Sequence, residues 1–312
     1  MAHVIPSDPA RAALGQDASQ EQVDEYRRKL GLDDPLWRQF LRYVGRLARG
    51  DLGVSIVTGN RVVDDLRDAV PATVELVLPS IVVALGLGTL LGVASAVWRG
   101  RAVDHLSRVA SILGMSLPVF WFGLVLQLVF YKHLSWLPAG GRLPLTAMPP
   151  EGPTGIYTVD ALAAGDLGLL LETLRHLVLP VITLSTVSIA TVARITRASL
   201  LDVLGRDYVR TARAKGLGER ATVYKHALRN ALIPVVTVFG LRVGIMLGGA
   251  VLTETIFAWP GIGRYAFYGL RQLDLPVVSA FVVYVTLAYA ALNMLVDASY
   301  SLLDPRIRGA AS

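Results

Sequence analysis

The stretch LVLPSIVVALGLGTLLGVASAVW, residues 76–98, runs for 23 residues without a charged side chain. A helix rises 1.5 Å per residue, so about 20 apolar residues cross a hydrocarbon core of about 30 Å, and this run is long enough to span a bilayer. Further charge-free runs cover Val109–Tyr131, Leu177–Ala193 and Leu275–Val296, and a fifth, Asn230–Thr253, is interrupted only by Arg242. None of them alternates polar and apolar residues with period two. A backbone in lipid must satisfy its own hydrogen bonds, so the runs predict helices rather than a barrel. The expected fold is all-α, a polytopic transmembrane helical bundle with five visible spans. Composition agrees, with 53% hydrophobic and 17% charged residues and a mean hydropathy of +0.51. The net charge of +6 is explained by basic loops retained on one side of a membrane, and no nucleic-acid partner is expected.

Loop charge predicts orientation. Arg99, Arg101 and Arg108 follow the first run, and Arg306 and Arg308 follow the last. Between the third and fifth runs lie Arg194, Arg197, Arg206, Arg210, Arg213, Lys215, Arg220, Lys225 and Arg229 against three acids, Asp202, Asp207 and Glu219. These segments are expected in the cytoplasm, which includes the C-terminus. The connections 132–176 and 254–274 are nearly balanced in charge and are expected outside. Five spans ending inside put residues 1–70 outside as an extracytoplasmic segment. With no secretory leader to export it, the preferred reading is a sixth span, the first in order, missing or truncated ahead of Ala2–Ile5. Residues 71–309 then form the transmembrane domain.

Within the spans, Gly240, Gly244 and Gly248 recur every four residues, as do Gly88 and Gly92, a spacing that lets helix backbones approach closely. Pro118 and Pro234 predict kinks. Arg242 falls near mid-membrane, where an unpaired charge costs a few kcal/mol. Either it lines a hydrated translocation path and meets an anionic group, or it pairs with a carboxylate such as Glu75, Glu254 or Asp297. Those three acids lie near span ends, where solvation at the interface is the plainer expectation.

Catalytic chemistry is not visible. His3, His105, His133, His176 and His226 show no zinc-binding spacing, and the chain has no cysteine, so no metal site is expected. Gly114-Met115-Ser116-Leu117-Pro118 lacks the second glycine of a nucleophile elbow. No glycine precedes a lysine, so a phosphate-binding P-loop cannot occur.

The distinctive stretch is GRDYVRTARAKGLGERATVYKHALRNALIP, residues 205–234. Asp207–Lys215 has good helix formers and ends at Gly216, a residue suited to a left-handed cap. Ala212 and Ala214 are expected to leave room for another protein, with Arg210, Arg213 and Lys215 as a basic rim. A second helical stretch from Glu219 leads through His226 and Arg229 into the fifth span, so a rigid protrusion is joined directly to a membrane helix.

This loop, at about 200–230, resembles the EAA loop of binding-protein-dependent ABC transporter permeases. Arg210-Thr211-Ala212 stands where the general motif has Glu-Ala-Ala, three residues precede Gly216, and nine more lead to His226-Ala227-Leu228-Arg229. Asp207-Tyr208-Val209 is similar to the peptide and nickel branch in particular. Pro6-Ser7-Asp8-Pro9, Leu30-Gly31-Leu32-Asp33, Gly50-Asp51-Leu52-Gly53, Pro71-Ala72-Thr73, Ser116-Leu117-Pro118 and Glu254-Thr255-Ile256-Phe257 with Trp259-Pro260-Gly261-Ile262-Gly263 resemble family landmarks in order. Arg242 departs from the branch, which more commonly has an uncharged polar residue there.

The resemblance implies a non-enzymatic permease of the inner (plasma) membrane of a bacterial-type cell, forming half of a translocation pore. Its implied partners are a second homologous permease, two cytoplasmic ATPase subunits, an extracytoplasmic substrate-binding protein and the lipid bilayer. ATP and magnesium would be bound by the ATPase subunits, with no cofactor in this chain. The implied coupling residues are Asp207, Tyr208, Arg210, Ala212, Ala214, Lys215, Gly216, His226 and Arg229. Dipeptides or oligopeptides are the first expectation for cargo, with nickel or another small solute as the alternative and a stand-alone channel or carrier as a distant one.

Overall fold

A computed structural model describes residues 19–31 and 33–303, apart from the side chains of 26, 29, 30 and 295–303. The expectations placed on Ala2–Ile5, Pro6–Pro9, Leu32, Arg306, Arg308 and the Asp297 side chain lie outside the described residues.

Helices dominate. Two short ones, α1 (Gln20–Leu30) and α2 (Leu36–Leu47), precede the first long one, α3 (Val62–Val97). Then come α4 (Ala102–Ser116), α5 (Val119–His133), α6 (Tyr157–Ala163), α7 (Leu167–Leu204), α8 (Asp207–Ala214) and α9 (Glu219–Ile256). The chain closes with α10 (Ile262–Arg271) and α11 (Leu275–Leu303). Among the described residues four helices, α3, α7, α9 and α11, are each long and apolar enough to cross a membrane. The all-α polytopic bundle is therefore the fold observed.

The second predicted span needs correction. Val109–Tyr131 reads as one apolar run, but α4 and α5 meet there at a bend of 108°. Leu117 and Pro118 are extended, with ψ near 130°, because proline bars the residue before it from helical geometry and lacks the N–H that would continue the ladder. The kink expected at Pro118 is thus a break. Counted as one broken span, α4 and α5 bring the total to five. At Pro234, by contrast, α9 continues without interruption.

The core is built where α3, α7 and α9 meet, with Leu76, Val77, Ala84, Leu177, Val181, Leu184, Val192, Val235, Phe239, Val243 and Met246 among its buried side chains. Two glycines set the closeness of α3 to α7. A Cβ on Gly88 would lie 2.6 Å from Val192 Cβ, and one on Gly92 would lie 2.5 Å from Thr196 Cβ and 2.6 Å from the Ala193 carbonyl oxygen. Here the four-residue spacing is a packing device. On α9 the pattern divides, for Gly244 faces the Tyr289 ring of α11 while Gly248 has open space around it. Several hydroxyls within the bundle are satisfied locally: Ser80, Thr183 and Thr191 donate to the carbonyls four residues earlier, 2.7–3.0 Å away.

Helix direction defines two ends. The 98–101 turn and the 205–218 connection share one end, here the hairpin end, and the segments 51–61, 134–166 and 257–274 share the distal end. We expect Gly92→Leu to destabilise the bundle by about 1–3 kcal/mol through overpacking, while Gly248→Leu leaves it nearly unchanged. Melting of the two variants in detergent, followed by size-exclusion chromatography, checks the contrast.

Candidate functional site

The hairpin is formed by α8 and the start of α9. Gly216 has φ +79° and closes α8: its own N–H donates to the Arg213 carbonyl at 2.9 Å and the Leu217 N–H to the Ala212 carbonyl at 3.3 Å. This paired capping satisfies carbonyls that the helix end would leave open, and a left-handed residue is what makes it possible. Arg213 then clamps the return helix through two bonds to Glu219, from Nη2 at 2.7 Å and Nε at 3.1 Å. Those bonds hold the guanidinium pKa above its ordinary value. Asn230 Nδ2 donates to the Tyr208 hydroxyl at 2.9 Å, which fastens α8 to the body of α9.

Beneath the hairpin, Val223, Ala227 and Ala231 pack with Val93 and Ala96 of α3 and Leu200 of α7. The first turns of α9, Thr222–Ala227, are widened to π-helical geometry, and the helix then runs unbroken to Ile256. Hairpin and membrane helix are one continuous body.

The structure brings the predicted coupling residues together with one correction. Asp207, Tyr208, Arg210, Ala214, Lys215, Gly216 and Arg229 are exposed and His226 is half-buried. Ala212, expected on the open surface, is buried together with Val209 on the inward face. An alanine three residues after an inward valine shares its helix face, so its small size serves packing under the hairpin. Tyr224, 58% exposed beside this surface, is an aromatic that the charge-based reading passed over.

Arg242 is half-buried on α9, and among the described residues it has no hydrogen bond or ion pair. Its suggested partners Glu75 and Glu254 are engaged elsewhere. The expectation that they are solvated at span ends is overturned, since both are buried.

Glu75 binds Arg142 of the 134–156 loop, with Arg142 Nε at 2.9 Å and Nη2 also donating. The side chains are 1% and 5% exposed. The Thr158 N–H donates to Glu75 at 2.7 Å, and Arg142 also donates to the Gly155 carbonyl at 2.8 Å and stacks over Tyr157 at 3.4 Å. The loop is thereby held on α3.

Glu254 accepts a bond from the Thr73 hydroxyl at 2.6 Å and one from the Arg264 N–H at 2.9 Å, while the same hydroxyl accepts from the Ile262 N–H at 2.9 Å. Trp259 is buried and donates its indole N–H to the Ala72 carbonyl at 2.7 Å. The sequence landmarks Pro71-Ala72-Thr73 and Trp259–Gly263 therefore form one junction. A Cβ on Gly261 would lie 2.2 Å from a Glu254 carboxylate oxygen, which explains the glycine there.

A third buried acid lies at the hairpin end. Asp104 of α4 accepts from Arg197 of α7 at 2.7 and 2.9 Å, from Ser95 at 2.6 Å and from the Gly100 N–H at 3.0 Å. Arg142 and Asp104 were passed over in sequence, and Thr73 and Arg197 were read only as part of a landmark and as a loop charge, because each lies outside or at the edge of a span, with its partner far along the chain.

Among the described residues, the architecture is a helical bundle of four or five spanning helices, one of which carries a rigid hairpin. The model for the binding-protein-dependent transport system inner membrane component matches residues 88–309, and the model for the N-terminal part of such components matches residues 1–77. The chain belongs to this family of ABC importer permeases, non-catalytic subunits that work beside a separate ATPase. The probable D,D-dipeptide transport system permease protein DdpB of Escherichia coli K12 is 48% identical over 307 residues, covering 98% of this chain and 90% of that protein. The di/tripeptide transport system permease protein DppB of Pseudomonas aeruginosa UCBPP-PA14 is 46% identical over 306 residues, at 98% and 91% coverage. The glutathione transport system permease protein GsiC of Escherichia coli O6:H1 is 38% identical over 306 residues, at 98% and 90%.

Removing one partner of a buried ion pair leaves the other charge stranded. Arg142→Met should cost about 3–5 kcal/mol, and Glu75→Gln combined with Arg142→Met should cost less than Arg142→Met alone. A double-mutant cycle of denaturation midpoints in micelles measures both.

Proposed function

We propose that this chain is one half of the pore of an ATP-driven importer for short peptides, paired with a second, homologous permease. The observation that carries the reading is the fusion of the hairpin to α9, supported by relatives named for dipeptides, tripeptides and glutathione. The hairpin end faces the cytoplasm, a reading supported by its excess of Arg and Lys, and so does the C-terminus. Residues 1–70 then lie outside with the 134–166 loop, where a substrate-binding protein delivers cargo. Two cytoplasmic ATPase subunits bind ATP and magnesium and push on Asp207, Tyr208, Arg210, Ala214, Lys215, Gly216, His226 and Arg229, with Ala212 supporting this surface from beneath. Their closure moves α9 and switches the pore between inward and outward access.

Arg242 lines the pathway. It neighbours Leu241 and Ile245, exposed residues of a stripe that continues through Gly248 to Leu252. A half-buried guanidinium beside such a face needs water, an anionic cargo group or a partner subunit. The carboxylate of a peptide meets that need, and a hydrated nickel cation does not.

Three outcomes check the reading. Uptake of labelled dipeptides should fall in a strain lacking this permease, and peptide uptake that persists while nickel accumulation falls would overturn the cargo assignment. Gly216→Asp should leave ATP hydrolysis in the reconstituted importer but abolish most of the transport coupled to it, through the altered turn and the added charge on the docking face. Arg242→Gln should weaken uptake of acidic peptides more than of basic ones, measured as competition between the two; unchanged competition would remove Arg242 from the pathway.

A further inference from the structure

Helix α2, LWRQFLRYVGRL, has no buried residue. At 100° per residue, Leu36, Trp37, Phe40, Leu41 and Val44 fall on one face, and these side chains are 41–64% exposed. Arg38 and Arg46 fall on the other face, Arg49 continues it beyond the helix end, and the helix contains no acid. Arg38 also stacks on the Trp37 ring at 5.0 Å. Such a face is out of place in water. Twelve residues rise only about 18 Å, too short to cross a core of about 30 Å, and the arginines forbid it in any case.

The segment 51–61 sets the position of α2. Gly53 abuts Pro276 at the start of α11, and its carbonyl accepts from the Val62 N–H at 3.0 Å. Ser55 donates to the buried Asp274 carboxylate at 2.6 Å, and the Val57 N–H donates to it at 3.1 Å. The chain six residues after Leu47 is thus fixed at the distal boundary of a span, which keeps the Leu47 end of α2 within about 20 Å of the bundle rim. The end of a spanning helix marks the level of the membrane surface.

We infer that α2 lies flat in the headgroup layer at the distal end of the bundle, as an anchor to the lipid surface. Leu36, Trp37, Phe40, Leu41 and Val44 enter the acyl boundary, and Arg38, Arg46 and Arg49 reach the phosphates. The apolar face offers the Trp37 indole, with the Tyr43 hydroxyl at its edge, and no acid or amide to register a protein partner. A smooth apolar face backed by arginines complements a layer of lipid phosphates over hydrocarbon.

The chain has no cysteine, so single cysteines can be introduced and spin-labelled without background. Labels at Phe40 and Val44 on the apolar face, and at Gly45 and Arg49 off it, are read in the full chain reconstituted into vesicles of phosphatidylethanolamine and phosphatidylglycerol. Molecular oxygen partitions into hydrocarbon and a neutral nickel chelate into water. Accessibility to oxygen should exceed that to the chelate at Phe40 and Val44 and reverse at Gly45 and Arg49. With Leu36→Glu and Leu41→Glu added, chelate accessibility at the Val44 label should rise several-fold. Chelate access at all four positions from the outset would overturn the proposal. Exclusion of both reagents at Phe40 and Val44 would also overturn it, since the face would then be covered by protein.

Discussion

The arrangement depends on one constraint, that an acid buried in an apolar bundle must have its acceptor sites filled from within the protein. Glu254 meets it by binding Thr73 of α3 and the first turn of α10, so three helices have to come to one point. The bulk of Trp259 fills the same point and its indole fixes Ala72. Glu75, half a turn further along α3, draws in Arg142 and with it the 134–156 loop. At the other end Asp104 and Arg197 perform the equivalent task between α4 and α7. Polar locks at both ends and glycine-mediated contact of α3 with α7 between them make these helices one rigid unit.

That rigidity bears on how the proposed push at the hairpin would travel. Glu254 lies at the far end of the helix whose first turns carry the hairpin, so α9 cannot shift independently of α3 and α10 without breaking buried hydrogen bonds. Each such bond left unmade costs about 1–3 kcal/mol, which favours movement of the locked unit as a body over deformation inside it. The α4–α5 pair contrasts with this, because its backbone is already broken at Leu117–Pro118 and can bend there without loss of a helical hydrogen bond.

Much of this was legible in the sequence, and its gaps have a common cause. Charge-free runs located α3, α7, α9 and α11 because lipid imposes length and apolarity residue by residue. The hairpin was legible from local signals, with Gly216 stopping α8 where the helix formers end. Long-range pairing was not legible. Glu75 and Glu254 have the sequence context of interfacial acids, and only the fold brings Arg142 and Thr73 beside them from 67 and 181 residues away. Ala212 was misplaced because a small side chain carries no sign of the face it occupies. The broken second span was half-legible, since a proline marks where a helix ends and does not fix the angle at which the next begins.

The face of α9 that bears Arg242 fits the proposed pairing with a second permease. Leu241, Ile245 and Leu252 are uncovered, Gly248 has nothing against it, and Arg242 sits at their edge about 21 Å from the distal end of the helix. Lipid would solvate the leucines and the isoleucine but not the guanidinium, and water would do the reverse. A surface that suits neither solvent alone is suited to a boundary, and in the proposed assembly a second subunit would cover the apolar residues and leave a hydrated channel along the arginine. The proposed pairing of two homologous permeases supplies such a boundary.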